Sequence, residues 1–323
     1  MSNQWVRKIL LVVHNMTPTA GLDLSALRIK FNILNADVET PNNAFIRVYN
    51  LDEPTVKKIT GSTSGEFAKV TLTAGYVNGS FGVIFSGTIR QYRIGKENNK
   101  DSYLDILASD GDIGYNQAVV NKAYAKGSKP EQFLDDLGTS LQASPDIQIN
   151  NTLASGAIIN PSIRGVVLVG MARARLRNQV NSLDASWSLQ GGVVTIIPYT
   201  GYAFKDEEVP VINSNTGMIG VPEQTQEGIK VTCLLNSKLR IGGRVKLNND
   251  DIIQTLRSTD KLSGVAFNSN TNLIYYVPTG ADGTYRCYVV EHEGDTRGQA
   301  WYTHLVCLAV HPSAPAGQQV ANS

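Results

Sequence analysis

The chain has 323 residues, with 29 Lys and Arg against 28 Asp and Glu, 42% hydrophobic and 18% charged residues. A chain of this length needs two or more cores, and this composition is that of a folded, soluble protein. The net charge of +1 excludes a global pull toward nucleic acid or an anionic membrane, and no apolar run approaches the roughly 20 residues of a spanning helix, so no membrane insertion is expected.

Residues 5–14 start with Trp5-Val6-Arg7-Lys8 and continue into a short apolar run. The run has no small-residue cleavage site, which predicts a first strand in place of a secretory leader. Residues 27–34 alternate, with Leu27, Ile29, Phe31 and Ile33 on one face and Arg28, Lys30 and Asn32 on the other. That period of two marks a half-buried strand. Residues 44–49 repeat it, Ala44, Ile46 and Val48 lying opposite Phe45, Arg47 and Tyr49. Asp52 as N-cap, Pro54 in the first turn and Gly61 beyond the end predict a short helix. Residues 67–76, 81–92 and 103–108 read as strands, with Asn78-Gly79 and Lys96-Glu97-Asn98-Asn99-Lys100 as hairpin turns. Residues 1–115 are therefore expected to form a β-barrel or sandwich with one small helix, ended by Ser109-Asp110-Gly111-Asp112.

The middle differs. Ser128 and Glu131 make a capping box, and Phe133, Leu134, Leu137 and Leu141 follow at helical spacing, so a helix runs to about residue 141. Residues 142–165 are rich in Ser, Asn, Pro and Gly and read as loop with short strands. A second helix is expected over 169–183, with Ala172, Leu176, Val180 and Leu183 on one face. Trp187-Ser188-Leu189-Gln190 and residues 193–197 form a hairpin about Gly191-Gly192. An α+β module is thus expected over 116–205. Strand patterns return at 228–234, 244–247, 273–277, 284–291 and 301–308, giving a second β-barrel or sandwich over 206–311 and a flexible tail over 312–323. The expected fold class is mainly β, with two β domains flanking a smaller α+β module.

Tests for chemistry return structural readings. Cys233, Cys287 and Cys307 are odd in number and widely spaced, with no CxxC pair, which suits buried thiols in a reducing cytoplasm. Glu291-His292-Glu293-Gly294-Asp295 with His304 is the strongest enzymatic or metal candidate. An HExxH site needs its histidines one helical turn apart, whereas His304 lies twelve residues beyond His292 in a strand–turn–strand pattern. Gly294-Asp295-Thr296-Arg297-Gly298 is read as a turn, with Asp295 and Arg297 bonding its backbone or each other. Arg173, Arg175 and Arg177 are too few for duplex binding and are read as a solvated or interface face of the second helix. Asp110 and Asp112 lack the other ligands of a calcium loop. Trp301-Tyr302 reads as core in preference to a sugar-stacking platform. Gly191-Gly192 and Gly242-Gly243 are turn residues, and neither a P-loop nor a GxSxG motif occurs. No catalytic, cofactor-binding or metal-binding residue is assigned, and no enzyme is expected.

Several stretches, in order, resemble the baseplate hub proteins of contractile-tailed bacteriophages. They are Asn43-Ala44-Phe45-Ile46-Arg47-Val48-Tyr49-Asn50-Leu51 and Phe85-Ser86-Gly87-Thr88-Ile89, then Gly220-Val221-Pro222 with Thr225 leading into Gly228-Ile229-Lys230-Val231-Thr232-Cys233-Leu234-Leu235-Asn236. The last is His292-Glu293-Gly294-Asp295-Thr296-Arg297-Gly298 with Trp301-Tyr302. The resemblance is weakest over 140–165 and 248–272. It implies two tail-tube-like β-barrels per subunit and a homotrimeric ring of pseudo-sixfold symmetry, held by interleaved sheet edges. The ring would join the tail tube to a central spike protein, touch other baseplate proteins, and pass genomic DNA through its lumen without specific binding. It further implies a virion component assembled in the bacterial cytoplasm, with no cofactor. Two other classes stand beside it: a peripheral tail protein that binds glycan or receptor, and a tail-tip hydrolase.

Overall fold

The computed structural model describes residues 4–14, 21–60, 68–141, 148–151, 162–199, 201–204, 208–225, 227–248, 252 and 283–310. The first block holds strands β1 (Arg7–His14), β2 (Gly21–Asp23), β3 (Ile29–Ala36) and β4 (Asn43–Tyr49), then helix α1 (Glu53–Thr60). Strands β5 (Lys69–Tyr76), β6 (Phe81–Lys96) and β7 (Ser102–Ser109) complete it. The middle holds α2 (Asp112–Gln117), β8 (Val119–Tyr124), α3 (Pro130–Leu141), β9 (Gln148–Asn151), β10 (Val166–Met171), α4 (Ala172–Asn181), β11 (Ala185–Gln190) and β12 (Val193–Pro198). The last block holds β13 (Met218–Thr225), β14 (Gly228–Leu234), β15 (Arg244–Lys246), β16 (Thr284–Asp295) and β17 (Trp301–Ala309).

Strands of the first and last blocks form one antiparallel sheet in the order β13-β14-β17-β16-β3-β4-β7-β6-β5-β1-β2, with β15 also paired to β16. The link is β3 against β16, where His292 faces Ile33 and Gly294 faces Phe31. Two smaller sheets, β8-β10 and β11-β12-β9, belong to the middle. The fold is mainly β, as expected.

Alternation explains why these strands form where they do. Ile29, Phe31 and Ile33 are buried beside Val48, Ile46 and Ala44, their register partners on β4, while Lys30 and Asn32 point away. Each such fully buried side chain is worth roughly 1.5–3 kcal/mol of apolar transfer. Three buried clusters result. One fills the first block and takes in Leu235 and Trp301 from the last. A second lies under α3 and α4, where Phe133, Leu134, Leu137, Leu176 and Val180 meet Trp187, Leu189 and Ile196. A third occupies the last block around Tyr285, Val290, Leu305 and the three cysteines, all free and buried.

One expectation needs correction. The second helix begins at Ala172, and residues 169–171 belong to β10. Gly170 has a φ of 115°, outside the helical range, and the valines before it favour extended backbone. The sequence pattern also did not reveal α2, β8 or β13. The expected strand at 273–277 and the tail at 312–323 lie outside the described residues, as does most of the loop expected over 142–165.

Candidate assembly interface

The structure separates the residues that looked most like chemistry. Along β16, His292 turns into the core and is 2% exposed, its Nδ1 2.9 Å from Thr303 Oγ1. Burial pushes its pKa down to about 4, with a smaller contribution from His304. Glu291 and Glu293 leave the opposite face, where Glu291 accepts from Asn32 Nδ2 at 2.6 Å. His304 is the register partner of Glu291, so it shares that face and not the face of His292. It sits 3.6 Å from Glu293 and 3.0 Å from Thr232 Oγ1. Among the described residues no group of His, Cys, Asp or Glu converges as a metal site.

Asp295 does bond the turn backbone, accepting from Arg297 N–H at 2.9 Å, but its side-chain partner is Arg28 and not Arg297. Burial pushes this carboxyl up, and the Arg28 and Arg297 hydrogen bonds outweigh it, holding the group below the ordinary range. Arg7 closes the same turn from β1, donating to the carbonyls of Asp295, Gly298 and Gln299. Trp301 is buried edge-on to Phe31 at 5.5 Å, which removes it as a stacking platform. The arginines of α4 diverge. Arg173 donates to Tyr115 O, Arg175 to Val169 O, and Arg177 pairs with Glu39. Gly191 and Gly192 turn a hairpin with φ of 61° and 84°. A groove of about 960 Å³ runs between residues 79–83, 208–216 and 236–244; among the described residues its lining includes no histidine or cysteine, and Glu208 is the one carboxylate.

Polar contacts instead bind the blocks to one another. Asp37, at the end of β3, meets Arg286 of β16 at 3.4 Å, with both side chains almost fully buried. Arg286 also donates to Pro198 O and Gly201 O, and Ser186 donates to Asp37 at 2.9 Å, so one charge pair ties all three parts of the chain. Burial raises the Asp37 carboxyl, against the pull of Arg286, Ser186 and Ser188. A second tie joins the first block to the β11–β12 hairpin. Asn42 donates to Leu189 O, and buried Asp110 accepts from Gly192 N–H at 2.8 Å. Sequence reasoning saw Asp110 only as a turn residue; its burial depends on a hairpin some 80 residues away.

What remains open is sheet edge. Among the described residues strand β13 is paired on one side only, and its pairing to β14 is interrupted between Ile219 and Glu223. Ile219 and Val221 on that edge are 40% and 51% exposed. The long β6 pairs β5 through residues 81–88 and β7 through residues 88–96. Among the described residues no strand pairs its second half on the β5 side, where Ile89 N–H meets Ala68 O and Tyr92 Oη meets Thr60 O, and Arg90, Arg93, Ile94 and Lys96 are exposed. Counting both edge strands, the run from β13 to β6 holds eight strands, four from each β block. Open edges of this kind are templates for pairing with another chain.

Three solved structures share the fold. A tail protein from Neisseria meningitidis MC58 aligns with a TM-score of 0.57 at 10% identity, over 94% of this chain and 96% of that one. The 43 kDa tail protein of prophage MuSo2 from Shewanella oneidensis aligns with a TM-score of 0.57 at 7% identity, over 94% and 98%. The E. coli c3393 protein aligns with a TM-score of 0.53 at 10% identity, over 90% and 76%. It is described as a type VI secretion component similar to the T4 tail proteins gp27 and gp5. No curated protein matches the sequence. The family model described as Baseplate hub gp41 matches residues 10–250, which takes in the motifs at 43–51, 85–89 and 220–236 and stops short of the one at 292–302. With that match over most of its length, the chain belongs to the Baseplate hub gp41 family.

Proposed function

We propose that this structural baseplate protein forms a homotrimeric ring that joins the tail tube to the central spike and lines the channel for DNA. The observation that carries the reading is the eight-strand run between two open edges. A head-to-tail contact between unlike edges closes into a ring when its rotation closes. In this reading β13 of one copy pairs with the second half of β6 in the next. Charge supports that match. On β13 Glu223 is exposed, while the exposed part of β6 presents Arg93 and Lys96. Opposite charges steer such a contact and set its register.

Pseudo-sixfold symmetry follows from the same count. Each block supplies four strands, β3, β4, β7 and β6 from the first and β13, β14, β17 and β16 from the last. Residues 1–115 and 206–311 then act as two tube-like units of one subunit, with 116–205 outside the ring wall. The E. coli neighbour, described as resembling two T4 tail proteins, supports a tail setting. The role is structural, not enzymatic. Electron cryo-microscopy of purified tails tests it. Three copies between tube and spike, with β13 against the neighbour's β6, are expected. Copies at the tail periphery, or in another number, overturn the reading.

A further inference from the structure

The two-stranded ribbon of β8 and β10 has an outer face that is largely exposed among the described residues. Its inward residues, Val120 and Leu168, are buried in the middle core. Its outward positions pair Ala123 with Val167, Asn121 with Val169 and Val119 with Met171. Val119 and Val167 are each 67% exposed and Val169 is 48% exposed. A strand pair with one solvated face normally alternates apolar and polar residues. Here Asn121 is the one polar residue among six outward positions.

Among the described residues no third strand joins the ribbon. Val169 O accepts from Arg175 Nε at 2.7 Å, so that carbonyl points away from β8. The chain segments that carry the two ribbon strands are basic, with Asp136 of α3 the acid that meets β8 at Lys122 and Tyr124. Residues 113–130 contain Lys122, Lys126 and Lys129, and residues 147–183 contain Arg164, Arg173, Arg175 and Arg177; neither stretch has an acid. Lys122 finds Asp136 and Arg177 finds Glu39. Gly127 N–H donates to Ser162 O, which brings exposed Lys126 and Arg164 to the same end of the ribbon.

We propose that this face docks another tail protein through an extended segment, aliphatic at alternate positions and flanked by Asp or Glu. The aliphatic centre takes the apolar side chains, the outer side of β10 offers backbone pairing once Arg175 yields Val169 O, and the basic rim selects the acidic flanks. A second copy meeting face to face would oppose like charges. A membrane or a nucleic acid would call for Trp, Tyr or stacking aromatics, which the outward positions lack.

The test places a photo-reactive benzophenone amino acid at position 167 of the full chain and irradiates purified, assembled tails. A cross-link to an acidic extended segment of a different tail protein is expected. Val167→Glu should keep the solution mass and melting temperature of the parent yet lower the yield of complete tails at least tenfold. A cross-link to a second copy, no cross-link, or normal tail yield with Val167→Glu overturns the proposal. The docking rests on the baseplate reading, and the two fail differently. If the unaltered chain is missing from tails, that reading fails. If it is present and position 167 stays free, only the docking fails.

Discussion

Asp110 shows how one buried side chain gives the protein a pH response. Burial pushes its carboxyl up to about 7, against the hydrogen bonds it accepts from the Gly192 and Gly191 backbone. The folded chain therefore binds this proton more tightly than the unfolded chain, whose Asp has an ordinary value near 3.9. Its contribution is complete below about pH 4 and is lost as pH rises through 7. Buried His292 works in the opposite sense, because its folded value of about 4 lies below the ordinary 6.5. That contribution is present above pH 6.5 and is lost as pH falls through 4. The two oppose each other between these values. Asp110→Asn should therefore be more stable than the parent at pH 8 and close to it at pH 4, by at most on the order of 4 kcal/mol. Denaturant melts across pH 4–8 read this directly, and a difference that does not vary with pH contradicts it.

At the scale of elements, close packing where the β blocks meet sets the tightest constraint. Gly294 on β16 faces Phe31 on β3 and Trp301 on β17. A Cβ built there lies 2.5 Å from Phe31 Cε1 and 2.9 Å from Trp301 Cε3. Gly294→Ala should cost about 1–3 kcal/mol, since both rings are hemmed in by core. A midpoint unchanged in urea would show that the rings yield. Most strands of the first block were legible because one face is solvated and the alternation survives, as in Ile29, Phe31 and Ile33. The ribbon was not. Its outer positions are as apolar as its inner ones, so β10 merged with the helix that follows it. Strand β13 was hidden by Gly220 and Pro222, which break the pattern of a strand that its β14 partner sustains. The resemblance to baseplate hubs rested on short motifs and was visible. The open edges of β13 and β6 were not, because they depend on which strands pair, and β3 meets β16 more than 250 residues away along the chain.

For the whole molecule, the buried Asp37–Arg286 pair holds three separate parts of the chain in one geometry. Such a pair adds little net stability when intact, and losing one partner is costly because the other charge stays buried. Arg286→Ala should destabilise the protein by about 3–5 kcal/mol near neutral pH. The loss should shrink in acid, where Asp37, already raised by burial, takes up a proton. A loss that stays equal from neutral pH down through the acid range would mean that the carbonyl contacts to Pro198 and Gly201 carry the effect, and not the charge. In the proposed ring this rigidity would hold the two edges at the fixed angle that closure requires. The most direct measurement is the solution mass of the purified chain by light scattering, alone and with the proposed spike partner. Three 35.0 kDa copies, free or in a three-to-three complex with the spike, are predicted. A single copy under both conditions would contradict the ring.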